Sequence, residues 1–550
     1  MKHFLFSFFI LSLLYSCNKQ TKIIVVDRIV AVTKEKQDDI GPDWHFKDMV
    51  DDTLAGISLQ KAYNELLKDK QGDTVIVAVI DTETDINHED LVGSFWVNQK
   101  EIPDNNIDDD NNGYVDDIHG WNFLGNAKGE NVIFSNYEVI RILRKYDSLF
   151  YQKTEADIDP ALLAEFQLYQ KALSEKQEIK VGVENLKKRA EVLLNRVRNA
   201  TSFFDSIYGP DANKEALIKS YQPVDSMTEK LKKDKLLFLK GGLTDDLLLT
   251  LIEQQEGLLT KSLDPQYNER TITGDDPYNI GDKNYGNNNV SGNLKELYHG
   301  TLVSGILSAN RNDTIGVKGI SDHILLMPLA ISANGDEHDK DIALAIRYAV
   351  DNGADIINMS SGKSYSLNQQ WVQDAVRYAA DNDVLFVTSA GNDNLDLDTD
   401  KHSYYPNDNV DNETEISDSF IMVGASTSYP NERFLFSSSN YGKNNVDIFA
   451  PGVGIKTTIP FHKYRLANAT SVATPIVAGV AALLKSYYPE FTAAEIKDIL
   501  LQSGTTYQVE VEIEQEDGTT KTVPFSELSK SGKVVNAYNA LLMAEQLSKN

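Results

Sequence analysis

The chain has 550 residues, 41% of them hydrophobic and 25% charged, and its formal net charge is -29. That is more apolar material than one small core requires, so an extensively folded protein is expected. So acidic a balance argues against nucleic acid as a partner, since phosphate binding needs clustered Lys and Arg, and it favours solubility and cation sites.

At the amino terminus, Met1-Lys2-His3 precedes a short apolar run from Phe4 to Leu14, followed by Tyr15-Ser16-Cys17. A basic start and a run too short to span a bilayer predict a signal peptide over residues 1–16. Leu14-Tyr15-Ser16-Cys17 resembles a bacterial lipobox with cleavage before Cys17. The chain has a single cysteine, so no internal disulfide can form, and acylation of Cys17 is expected. Several acyl chains there would anchor the protein stably. The expected location is the bacterial cell envelope, lipid-anchored at the outer membrane, with the membrane as a partner through that anchor. Residues 17–42 read as a lipidated tether, with a strand at Ile23-Ile24-Val25-Val26, and residues 43–550 as the folded domain.

The first element of that domain with chemical content is Thr74-Val75-Ile76-Val77-Ala78-Val79-Ile80-Asp81. Its composition suits a buried parallel strand delivering Asp81 at its carboxyl end. Next comes Asp108-Asp109-Asp110-Asn111-Asn112-Gly113-Tyr114-Val115-Asp116-Asp117. Asp108, Asp110 and Asn112 alternate before a glycine that permits a sharp turn, the Tyr114 carbonyl follows, and Asp116 or Asp117 could complete an oxygen shell. The expectation is a structural Ca²⁺ site without EF-hand helices, and no catalytic metal. Residues 125–281 then form an insertion rich in Lys, Glu and Leu at helical spacing. Asp159-Pro160 opens one amphipathic segment with Leu162, Phe166, Tyr169 and Leu173. A second carries Leu186, Ala190, Leu193, Leu194 and Val197, and Thr244-Asp245-Asp246 starts a third helix.

His299-Gly300-Thr301-Leu302-Val303 resumes the pattern, with a histidine opening an apolar helix. Strands at 324–329 and 355–359 alternate with helices at 341–350 and 371–380, which implies a parallel sheet covered on both faces. Ser360-Ser361-Gly362 leaves one strand, and Ala390-Gly391-Asn392 leaves the next at 384–389. Then Asn468-Ala469-Thr470-Ser471-Val472-Ala473-Thr474-Pro475 precedes a long apolar run; Pro475 reads as part of the first helical turn, whose positive end favours negative charge beside Ser471. Residues 507–524 read as a polar hairpin, and 531–540 as the closing segment.

The order Asp81, His299, Ser471 is one of the linear orders of the acid–base–nucleophile triad. Together with Ala390-Gly391-Asn392, these motifs resemble those of the subtilisin-like serine peptidases. The resemblance implies an α/β, three-layer fold with a parallel sheet between helices, here carrying a helical insertion. It also implies serine endopeptidase activity on polypeptide substrates through an acyl-enzyme. By that resemblance Asp81, His299 and Ser471 are catalytic and Asn392 donates to the oxyanion. Ser360, Ser361, Gly362, Ala390 and Gly391 line the substrate. Four positions depart from the family pattern: Glu83, Ala469 and Val472 stand where glycine, glycine and methionine are usual, and Leu302 replaces a second histidine. A Cβ at a turn glycine is expected to shift the loop. The alternative reading is therefore a catalytically impaired, peptide-binding lipoprotein of the same family.

Overall fold

A computed structural model of the chain describes residues 28–30, 40–210, 214–241, 243–399, 401–409, 414–515 and 517–549. The signal peptide, Cys17 and the strand expected at 23–26 lie outside the described residues.

The molecule is built on a ten-stranded sheet. From one edge to the other it runs Arg28–Val30, Thr505–Gln508, Lys533–Val534, Ile448–Pro451, Phe420–Ser426, Leu385–Ser389, Ile356–Met359, Val75–Asp81, Ile324–Ala330 and Trp121–Asn122. All neighbours are parallel except Thr505–Gln508 with Lys533–Val534. The period-2 alternation of side chains assigns each strand residue to one of two cores. Val75, Val77 and Val79 join the core formed with helices His299–Ser308, Thr470–Tyr487, Ala493–Ser503 and Ala537–Leu547. Ile76, Ala78 and Ile80 join the opposite core, against helices Asp339–Asp351 and Gln369–Asp381. Both faces are apolar because both are covered, which is why these strands read as continuous apolar runs. The fold is thus the expected three-layer α/β arrangement, and the catalytic candidates emerge at the carboxyl ends of the strands.

Two local readings change. Helix Thr470–Tyr487 begins before Ser471, so Ser471 stands inside its first turn and Pro475 lies in its second. By composition this helix could cross a membrane, but 89% of it is buried inside the protein. Tyr507 belongs to the main sheet, and the hairpin is Glu510–Glu514 with Thr520–Pro524.

In the insertion, the two amphipathic segments are one helix, Leu163–Tyr208, of 46 residues, about 70 Å at 1.5 Å per residue. Asp159 caps a short turn at Pro160–Leu162 that leads into it. Phe166, Tyr169, Ala190, Leu194 and Val197 are buried as expected, whereas Leu162, Leu173 and Leu186 are exposed. The helix packs on Glu138–Phe150 at one end, and on Ser226–Gly241 and Asp245–Gly257 along its length. Thr244 caps the last of these through its hydroxyl, which accepts from the Leu247 N–H.

The root of the insertion joins the sheet-bearing part through buried charges. Glu138 pairs with Lys363 at 3.2 Å, Asp275 with Lys340 at 2.7 Å, and Arg270 with Asp341. Glu269 accepts from His338 at 2.6 Å; burial, then Arg141 and Arg270, hold the His338 pKa well below 6.5, so the ring donates as a neutral group. Arg141 donates to the carbonyls of Asp336 (2.8 Å) and Glu337 (3.0 Å).

Candidate active site

Asp81 ends its strand with its side chain fully buried. Its Oδ1 accepts from the Thr82 N–H at 2.7 Å and, at 2.8 Å, from His299 Nδ1, with Oδ2 at 3.0 Å from the same nitrogen. His299 opens helix His299–Ser308, and its Nε2 lies 2.9 Å from Ser471 Oγ. The Gly300 N–H donates to Thr82 Oγ1 at 2.8 Å, which fastens the start of that helix to the end of the Asp81 strand. Only glycine fits at 300, because a Cβ would sit 2.6 Å from the Thr82 carbonyl oxygen. Burial works against a charged imidazole at His299. The Asp81 carboxylate, by charge and hydrogen bond, and Glu337 outweigh it against an opposing Arg465, so the His299 pKa lies above 6.5.

Asn392 follows Gly391, whose φ of 98° turns the chain. Its Oδ1 accepts from the Thr470 N–H at 2.8 Å and from Thr470 Oγ1 at 3.2 Å. That orientation leaves the amide NH₂ as the donor end of the side chain. Ser471 N–H sits in the first helical turn, where no preceding helical carbonyl faces it. Asn392 is thus held against Thr470, the residue directly before Ser471. Thr470 was not singled out from sequence, although it stands directly before the serine.

Glu83, the family departure nearest the triad, is buried. Its Oε1 accepts from the side-chain amides of Asn122 (3.2 Å), Asn131 (2.9 Å) and Asn293 (3.0 Å), and its Oε2 from the Asn293 N–H. Its φ is not positive, and Ala469 has a φ of -175°. Neither position calls for glycine, and the expected loop shift does not occur: the three side chains meet at hydrogen-bond distance. Leu302 and Val472 are core residues.

Of the substrate-lining candidates, Ser360 is buried and its Oγ accepts from Asn358 Nδ2 at 3.0 Å. Ser361 and Gly362 are half-buried. The Ala390 and Gly391 carbonyls accept from Asn440, through its side chain at 2.8 Å and its N–H at 3.0 Å. These residues therefore act as walls. Tyr404, absent from the sequence reading, stands between the two walls.

In the acidic loop two of the expected side chains converge with a third carboxylate that the sequence did not single out. Asp108 and Asp110 are joined by Glu101, with carboxylate oxygens of all three within 4.8 Å of one another. Asn112 directs its Oδ1 to the Tyr114 N–H, and Asp116 accepts from the N–H groups of Asn105 (3.2 Å) and Asn106 (2.8 Å). Tyr114 packs its ring on Trp121 and Tyr348. An all-oxygen set of three carboxylates fits a hard divalent cation such as Ca²⁺.

A profile of the subtilase family matches residues 72–520, and the chain belongs to that family. It is 38% identical over 189 residues to the thermophilic serine proteinase of Bacillus sp. (strain AK1), covering 34% of this chain and 42% of that one. Alkaline elastase YaB of Bacillus sp. (strain YaB) is 35% identical over 208 residues, 38% of this chain and 50% of its own length. Subtilisin of Bacillus pumilus is 34% identical over 213 residues, covering 38% of this chain and 70% of the relative. The chain thus spans half or less of the length of the first two. Among solved structures, the epidermin leader peptide processing serine protease of Staphylococcus aureus aligns over 47% of this chain and 66% of its own. Its identity is 23% and its TM-score 0.37.

Proposed function

We propose that this protein is a serine endopeptidase acting on polypeptides through Asp81, His299 and Ser471. One observation carries the reading: the unbroken hydrogen-bond sequence from the Asp81 carboxylate through both His299 nitrogens to Ser471 Oγ. His299 takes the hydroxyl proton as Ser471 attacks the peptide carbonyl, then delivers it to the leaving amine. Asp81 fixes the tautomer that presents an unprotonated Nε2 and stabilises the imidazolium. The oxyanion is received by Asn392 Nδ2 and the Ser471 N–H. Water then attacks the acyl-enzyme by the same route and frees the serine.

The retained alignment at Glu83 and Ala469 favours this reading over an impaired, peptide-binding one. We further propose acylation at Cys17 as an envelope anchor, and a structural Ca²⁺ held by Asp108, Asp110 and Glu101. A fluorophosphonate probe tests the activity. Intact protein should be labelled and Ser471→Ala should not; folded protein that is never labelled and cleaves no unfolded substrate would refute the peptidase.

A further inference from the structure

The two walls beside Ser471 are separated by one aromatic ring. A Cβ built on Gly362 would lie 2.5 Å from Tyr404 Cε1, and one built on Gly391 would lie 2.7 Å from Tyr404 Cε2. Opposite edges of the same ring therefore press on the two glycines. The ring is held firmly. Tyr405 and Lys363 exchange backbone hydrogen bonds at 2.8 and 3.0 Å, and Asn407 Nδ2 donates to the Tyr404 carbonyl at 2.9 Å. The ring packs against the core beneath the sheet and remains half-buried.

What this ring displaces follows from the reaction. The carbonyl under attack has its oxygen between Asn392 and the Ser471 N–H. The residue supplying that carbonyl carries its side chain one atom away. Asn392 directly follows Gly391, so that side chain must enter between Ala390-Gly391 and Ser361-Gly362, the space Tyr404 occupies. We propose that Tyr404 closes this pocket and restricts the residue before the scissile bond to Gly, Ala or Ser. The proposal rests on the endopeptidase reading above and names its substrate class. A large side chain would have to displace a ring whose carbonyl is held by Asn407 and whose neighbour Tyr405 is paired with Lys363, and excess volume in a filled pocket is resisted by close packing.

Tetrapeptide p-nitroanilides that differ only in the residue before the anilide test this. With intact protein, kcat/KM should be at least about tenfold higher for Ala than for Phe, since one methylene of misfit is worth on the order of 10-fold or more. Tyr404→Gly should narrow or reverse that ratio, and Tyr404→Phe should preserve it because the ring remains. Calorimetry with Ser471→Ala protein and the corresponding tetrapeptide acids gives the same ranking without turnover, and without relying on the folding of any Tyr404 variant. A preference for Phe or Leu in intact protein, or a ratio unchanged in folded Tyr404→Gly, overturns the proposal. Failure of fluorophosphonate labelling would overturn the endopeptidase reading instead, and the calorimetric ranking would still decide the role of Tyr404.

Discussion

Glu83→Ala isolates the one family departure that places a charged group beside the triad. The carboxylate accepts four hydrogen bonds, but its loss would not strand four donors. Asn122 and Asn131 each also reach the Asn289 carbonyl, at 2.9 and 3.3 Å. The two Asn293 donors lose the only partner they have among the described residues. An orphaned buried donor costs about 1–3 kcal/mol; because Asn293 is half-buried, the lower half of the summed range applies, about 2–4 kcal/mol. Asn293 lies just before His299, so loosening it also loosens the histidine, and a displacement of about 1 Å costs on the order of 10²-fold in rate. Glu83→Gln should lie between: its oxygen can keep the three amides, but its own NH₂ then faces the Asn293 N–H, donor against donor. Urea unfolding followed by tryptophan fluorescence reads the stability, and the fluorophosphonate labelling rate reads the alignment. If Glu83→Ala stays within about 0.5 kcal/mol of the parent, the range of an ordinary surface change, and labels at the same rate, the cluster does not hold the site.

Because Asp81 raises the His299 pKa, the neutral ring that catalysis needs is gained only as pH rises through that elevated value. The ascending limb of kcat/KM should therefore have its midpoint above 6.5. Any stability gained from the charged pair is complete below the unfolded pKa and lost over the same rise. Asp81→Asn leaves burial and Arg465 opposed only by Glu337, so the limb should move to lower pH while the plateau falls by about 10⁴; an unmoved limb would assign it to another group. Chelation should lower the melting temperature and added Ca²⁺ restore it, by about 2.7 kcal/mol at a hundredfold excess over Kd. Asp108→Ala with Asp110→Ala should abolish that response, as should Glu101→Ala, and a persistent response places the ion elsewhere. Cys17→Ala should abolish palmitate labelling and release the protein from membranes; retention in the membrane fraction would discard the lipid anchor.

The parts of this site legible in sequence are those whose signal is local. Asp81 ends an apolar run, and His299 and Ser471 each open one, so strand and helix ends were recognisable from a few neighbouring residues. What escaped depends on chain folding back over long distances. The Asn partners of Glu83 lie 39, 48 and 210 residues away, so in sequence Glu83 looks only like a missing glycine. Tyr404 meets Gly362 and Gly391 through a strand pairing that no motif announces. Glu101 reaches Asp108 and Asp110 only because the loop closes on itself. The 46-residue helix reads as two segments because Gly182, a poor helix former, stands between the two stripes, although Ile179 and Val183 carry the packed apolar face past it. The start of the Ser471 helix was misplaced because proline tolerance marks a first turn but does not require one.

The charged root of the insertion bears on whether the protein is modular. Glu138, Glu269, Arg270 and Asp275 belong to the insertion, while Lys363, His338, Asp341 and Lys340 belong to the sheet-bearing part. Lys340 and Asp341 find their ion-pair partners in the insertion, whereas Glu138 and Glu269 also pair with Arg141 and Lys363 also pairs with Asp339 on their own sides. Burying an ion whose partner has been removed is far worse than never having had the pair. The helical unit is therefore not a detachable accessory: excision would leave Lys340 and Asp341 without their ion-pair partners, while Lys363 would keep only Asp339. A shortened variant would keep its stability only if both halves of the charge set were changed together.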